Sequence, residues 1–150
     1  MPKIDVTDEA VINAPPMDVY KAVLDMYAGV TNWWMPDCES KLRENAPTCQ
    51  EGATVDLTVH TSPTKTKFSC KMTKIVEGKS IEEEFGGDYV GTGKWTFEPT
   101  NGKTKVQFRW VANPKRLLFV CVSPFVNIGK RHSEVMQKGF KALNSYLSKK

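Results

Sequence analysis

The sequence predicts an α+β domain: one curved antiparallel sheet of seven strands wrapped around a long C-terminal helix, with two short helices after the first strand. Three observations carry this expectation. From Glu39 to Trp110 apolar residues alternate with polar ones, interrupted by turn signals. The alternation is one-sided, so one face of the sheet is wet and the other needs a cover. From Ile128 onward apolar residues recur at helical spacing and supply that cover. The 150 residues suit a single domain over 1–150, a length at which about 70% of the extended surface is buried. With 40% hydrophobic, 25% charged and 10% aromatic residues, the chain belongs among folded proteins rather than disordered or collagen-like ones.

Lys3 to Asn13 puts Val6, Ala10 and Ile12 on one parity, an opening strand with one buried face. Pro15 and Pro16 suit the first turn of a helix, where a missing N–H costs nothing. Val19, Tyr20, Val23, Leu24 and Tyr27 then recur at three- and four-residue steps until Gly29. Val30 to Met35, with Trp33 and Trp34 and a stop at Pro36, is expected as the second short helix. Turns at Glu51-Gly52, Ser62-Pro63, Glu77-Gly78, Gly86-Gly87 and Asn101-Gly102 divide the meander. Its inward sets are Val55, Leu57 and Val59; Phe68, Cys70 and Met72; Ile81, Glu83 and Phe85; Trp95 and Phe97; and Val106, Phe108 and Trp110. After Asn113-Pro114 an apolar run, Leu117 to Val122, leads through Pro124 into the long helix. Its broad apolar face holds Ile128, His132, Val135, Met136, Gly139, Phe140, Leu143 and Leu147.

Charge and cysteines limit the partners. Twenty-one Lys and Arg against seventeen Asp and Glu give a net charge of +4. The basic residues are dispersed on alternating or helical solvent faces, which argues against nucleic-acid binding. Cys38, Cys49, Cys70 and Cys121 form no C-x-x-C pair, and His60 and His132 are the two histidines, so neither a metal nor another cofactor is expected. With no signal peptide at Met1 to Thr7, the thiols read as reduced and the protein as cytoplasmic. No apolar run approaches the roughly 20 residues of a membrane span.

The stretches VTDEAVINAPPMDVYKAVLDMYAGVTNWWMP, GDYVGTGKWTFEPTNGKTKV and SEVMQKGFKAL, in that order, resemble the START-like (SRPBCC) superfamily, especially its polyketide cyclase/dehydrase and lipid-transport branch. The resemblance spans nearly the whole chain. It implies the helix-grip fold, with a deep apolar cavity between the sheet and the long helix. Relatives use it to carry lipids, quinones, hormones or polyketides, and in some cases to catalyse cyclisation or dehydration. Fold alone does not name the activity.

The expected ligand-lining residues are Trp33, Trp34, Leu57, Phe68, Met72, Glu83, Phe85, Tyr89, Gly93, Trp95, Phe108, Trp110, His132 and Met136. Gly91 and Gly93 share the parity of Trp95, and glycines on an inward face either leave space or permit a bulge or a close approach. Glu83 falls on the covered face between Ile81 and Phe85. A carboxyl there must be paired, wet or neutralised, an apolar pocket pushing its pKa up, and it is expected to serve as an acid, a base or a ligand-binding group unless a bulge or a solvated strand end turns it outward. His132 either orients a polar ligand head or is a satisfied core histidine. Tyr89 brings a hydroxyl to the same space or sits at its rim. One of Trp33 and Trp34 is expected to point inward. Cys70, in apolar company, reads as an inert thiol.

Three functions follow. The first is binding or carriage of a hydrophobic small molecule, its affinity set by an apolar lining and its orientation by Glu83, Tyr89 and His132. The second is a cyclase or dehydratase with a cavity acid–base pair, for which catalytic residues are not assigned. The third is a protein-interaction module with an unidentified partner, resting on the apolar patch of Phe119, Val122, Phe125 and Val126, which also suits transient membrane contact during ligand exchange.

Overall fold

The computed structural model describes residues 3–44, 48–61, 64–115, 121 and 127–149. β1 (Ile4–Ile12) is followed by α1 (Pro16–Tyr27) and then by β2 (Cys38–Leu42), β3 (Thr54–Thr61), β4 (Thr64–Val76), β5 (Ser80–Gly87), β6 (Tyr89–Thr100) and β7 (Lys103–Pro114). The long helix, here α2, spans Ile128–Ser148. The strands form one antiparallel sheet in the order β1-β7-β6-β5-β4-β3-β2. Consecutive strands of the meander are neighbours, and β1 joins its far edge beside β7. This is the helix-grip architecture.

The local chemistry explains the elements. Pro16 opens α1, which buries Val19 and Val23 completely. Asn101 and Gly102 both take positive φ between β6 and β7, the backbone that a two-residue hairpin matched to strand twist requires. Asn127 caps α2, its side-chain oxygen accepting from the backbone N–H of Lys130 at 2.9 Å. Met136, Gly139, Phe140, Leu143 and Leu147 form the buried stripe of α2. The helix as a whole packs chiefly along β1, with α1 beside it.

The expected inward parities hold. Val55, Cys70, Met72, Ile81, Glu83, Phe85, Trp95, Phe97, Val106, Phe108 and Trp110 are all buried. Leu57, Val59 and Phe68, on the same face of β3 and β4, are half-buried. The register of β4 on β5 shifts between Met72 and Lys74, yet Met72 still faces Glu83 across the pair, so the bulge leaves Glu83 inward.

Three details differ from expectation. The segment expected as a helix over Val30 to Met35 makes turns, closed by Met35 N–H to Asn32 O and Cys38 N–H to Trp34 O. Six residues ending at proline are too few to offset helix nucleation, and the Trp34 indole packs inward instead. The inward glycines do not mark vacant space. A Cβ on Gly91 would collide with the Val111 carbonyl, and one on Gly93 would lie 2.8 Å from the Phe108 ring and 2.9 Å from Glu83 Oε1. Finally, β1 carries Asp8 on its inward parity between Val6 and Ala10, and Asp8 is buried. The turn at Ser62-Pro63 and the patch at Phe119, Val122, Phe125 and Val126 lie outside the described residues.

Candidate functional site

The inner face between the sheet, α1 and α2 gathers two polar clusters in an aromatic wall. The first is centred on Glu83, in the middle of β5. Its side chain is 3% exposed. Oε1 accepts from the Tyr27 hydroxyl at 2.7 Å, and Tyr27 in turn accepts from Trp95 Nε1 at 2.8 Å. Oε2 is buried without a hydrogen-bond partner. Three elements meet here: α1 brings Tyr27 at its last turn, β5 brings Glu83 and β6 brings Trp95. Gly93, opposite Glu83 in the register, leaves the room that the carboxyl and the Phe108 ring fill.

Burial pushes the Glu83 carboxyl above its ordinary range, outweighing the opposing pull of the Tyr27 hydroxyl and the Cys70 thiol. Burial, with the nearby Glu83 carboxyl, likewise drives the Cys70 and Cys38 thiols up, and raises Cys49 to about 11. Such thiols are poor nucleophiles at neutral pH. The Tyr27 hydroxyl is raised well above its usual value for the same reason, so it remains a donor.

The second cluster joins α2 to β1 and β7. The His132 ring lies flat on Trp110, centroids 4.2 Å apart and planes 7° from parallel. Its Nδ1 stands 3.6 Å from Asp8 Oδ2, and both atoms are buried without a hydrogen-bond partner. Burial lowers the imidazole from its usual value despite the attraction of Asp8. Asp8 is raised by its own burial but lowered more by His132 and Ser133 beside it, and its net shift is downward. At neutral pH the pair is therefore an anionic Asp8 beside a neutral imidazole, a polar contact rather than an ion pair.

Aromatic rings connect the clusters. Trp110 stacks on Phe85 at 5.9 Å, and Phe68 lies edge-on to Phe85 at 5.3 Å and stacked on Tyr89 at 5.8 Å. Trp95 sits 4.8 Å from Phe108 and edge-on to Phe140. Trp34 is the inward indole of its pair: it wedges edge-on against Trp95, and a Cβ on Gly139 would collide with its ring. Trp33, stacked on Trp34 at 5.4 Å, is half-buried and donates to the Ala22 carbonyl. Met72 and Met136 are buried in the core, and Leu57 is half-buried. Tyr89 is buried, its hydroxyl raised to about 12 chiefly by that burial.

Sequence reasoning missed two members of these clusters. Asp8 carried the same signal that selected Glu83, an acidic residue on the apolar parity of a strand. Tyr27 was legible only as a stripe residue of α1, since nothing local distinguishes a tyrosine whose hydroxyl meets a buried carboxyl from one that merely packs.

The sequence model of polyketide cyclase/dehydrase and lipid transport proteins matches residues 3–147. The chain belongs to that family. A START superfamily protein of Mycobacterium smegmatis has the same fold, with TM-score 0.73 and 16% identity over 97% of both chains. A Thermus thermophilus protein superposes with TM-score 0.73 and 15% identity over 95% of both. An aromatase/cyclase of Streptomyces sp. R1128 matches with TM-score 0.66 and 13% identity, covering 97% of this chain and 93% of its own. No curated protein matches the sequence. Family membership supports a hydrophobic ligand-binding or polyketide cyclase-type function. Among the described residues no helix is long and apolar enough to cross a membrane.

Proposed function

We propose that the protein binds a hydrophobic small molecule, of lipid, quinone or polyketide-like character, between the inner face of its sheet and its helices. The observation that carries this reading is the state of β3 and β4. Leu57, Val59 and Phe68 face the covered side of the sheet yet remain half-buried, while α2 packs along β1 and α1 at the other side. Apolar side chains turned inward but left incompletely covered offer a guest burial that the chain's own residues do not supply. Phe68 carries the aromatic cluster of Phe85 and Trp110 to the edge of that surface.

Binding is favoured over the cyclase or dehydratase reading, which calls for a cavity acid–base pair converging on one reacting centre. Here Glu83 is engaged by Tyr27, while His132 lies flat on Trp110 with Asp8 at its Nδ1. The raised thiols offer no nucleophile. Organic extraction of the purified protein followed by mass spectrometry is expected to yield a retained hydrophobic compound. Repeated empty extracts, together with no thermal shift from a panel of quinones, fatty acids and polyketides, would overturn the reading.

A further inference from the structure

α2 is held to the sheet unevenly along its length. Its second half carries the buried residues Met136, Gly139, Phe140, Leu143 and Leu147. In its first half Ile128, His132 and Val135 face inward, and all three are incompletely buried. There the helix lies close on β1: a Cβ on Gly129 would sit 2.9 Å from Val6 Cγ1, and Gln137 reaches the Glu9 carbonyl at 3.4 Å. Within this seam His132 Nδ1 meets Asp8 Oδ2, with the imidazole flat on Trp110 and 5.9 Å from the Phe108 ring. At 3.6 Å the two atoms are beyond a hydrogen bond, and both are buried without a partner.

The anion at Nδ1 and the indole face each favour an imidazolium. Removal from water opposes it, and a buried ion pair repays that loss only when its hydrogen bonds are well made. Here the bond is not made. The surrounding charges give no further help. Asp5 and Glu9, the other acids of β1, point outward to Arg109 and Lys105 of β7. Lys130, Arg131 and Glu134 of α2 are exposed, and β7 turns only Phe108 and Trp110 toward the ring. Among the described residues Asp8 is therefore the one charge that bears on His132. The docked helix accommodates a neutral ring.

We propose that the contact of His132 with Asp8 and Trp110 is an acid-sensitive latch: a proton taken up by His132 releases the first turns of α2 from β1 and β7, while the second half of the helix stays docked. Release returns the imidazolium to water and uncovers Phe108 and Trp110 on the inner face. A released His132 titrates near 6.5, and burial holds the docked one lower. Between the two values the released form binds more protons, so docking weakens as pH falls. Glu83 acts on the whole fold in the opposite sense, its burial favouring the protonated form, so the readout must be local.

Hydrogen exchange of the full-length protein, followed by mass spectrometry from about pH 7.5 to about pH 5 and corrected for intrinsic rates, tests the latch. Protection at residues 128–136 is expected to fall by up to about tenfold per pH unit below 6.5, the limit for one linked proton, while residues 139–147 keep theirs. His132→Phe keeps a ring on Trp110 but takes no proton, and its protection is expected to stay flat. Asp8→Asn removes the attraction for the cation and is expected to carry the loss to lower pH. Should His132→Phe fail to fold, the imidazole Cε1–H resonance of wild-type His132, told from that of His60 by His60→Gln, is followed against pH and is expected to titrate below 6.5. Protection at 128–136 that stays constant or rises toward acid, an equal fall in His132→Phe, or a His132 midpoint at or above 6.5 would overturn the proposal. None of these outcomes involves a ligand, so the binding reading is tested separately.

Discussion

Glu83 holds its proton at a pH where the unfolded chain has lost it, and this has a measurable consequence. The ordinary value for a glutamate is 4.5, and burial raises the folded value. Between those two values the folded state binds more protons than the unfolded one, so stability falls as pH rises through that window. Glu83→Gln removes the proton exchange and retains the bond from Tyr27. Denaturant midpoints measured against pH are therefore expected to fall less steeply for this variant than for the wild type above pH 4.5. A wild-type and variant pair with identical slopes would show that Glu83 is ionised in the fold. The inward placement of Glu83 was legible in the sequence, because strand alternation fixes the face of every side chain. Its partner was not, because Tyr27 lies 56 residues away on another element.

At the scale of elements, α2 is tied to the core by the meeting of Gly139 with Trp34. The helix passes so close to the indole that a Cβ at Gly139 would strike the ring. Gly139→Ala gains up to about 1 kcal/mol of helix propensity. Against this stands overpacking of a rigid, buried ring, which costs about 1–3 kcal/mol. We expect net destabilisation in chemical denaturation, relieved when Trp34→Leu is added, since the smaller side chain vacates the contact. A stabilised single variant would mean that Trp34 moves freely. The sequence placed Gly139 on the buried stripe of α2 and Trp34 beside α1, but helical periodicity does not say which ring crosses which turn. The same limit explains the segment over Val30 to Met35: its composition allowed a helix, and turns that pack Trp34 against Trp95 and Gly139 stand in its place.

For the whole molecule, the buried interior is unevenly shared. α2 covers β1 and α1 reaches β6, β7 and the edge strand β2, while Leu57, Val59 and Phe68 keep inner-face surface available. A ligand seated there binds the folded state alone and must raise its stability by mass action. A hydrophobic ligand at one hundred times its dissociation constant is expected to contribute about 2.7 kcal/mol. For a chain of this length that raises the melting temperature by roughly 5–10 °C, read by differential scanning calorimetry. An unchanged melting temperature at saturating ligand would mean that the inner face does not take the guest. What the sequence by itself determined is what depends on near neighbours: the strands and their wet and covered faces, the two helical stripes, the hairpin at Asn101-Gly102 and the resemblance that places the chain in its family. The tertiary structure alone decided which polar groups meet, that Asp8 joins His132 and that Trp95 reaches Tyr27 across 68 residues. It also decided that Gly91 and Gly93 serve close approach rather than open space. The physical reason is that periodicity orients a side chain relative to its own strand or helix, whereas its partner is set by sheet order and by where the helices cross the sheet.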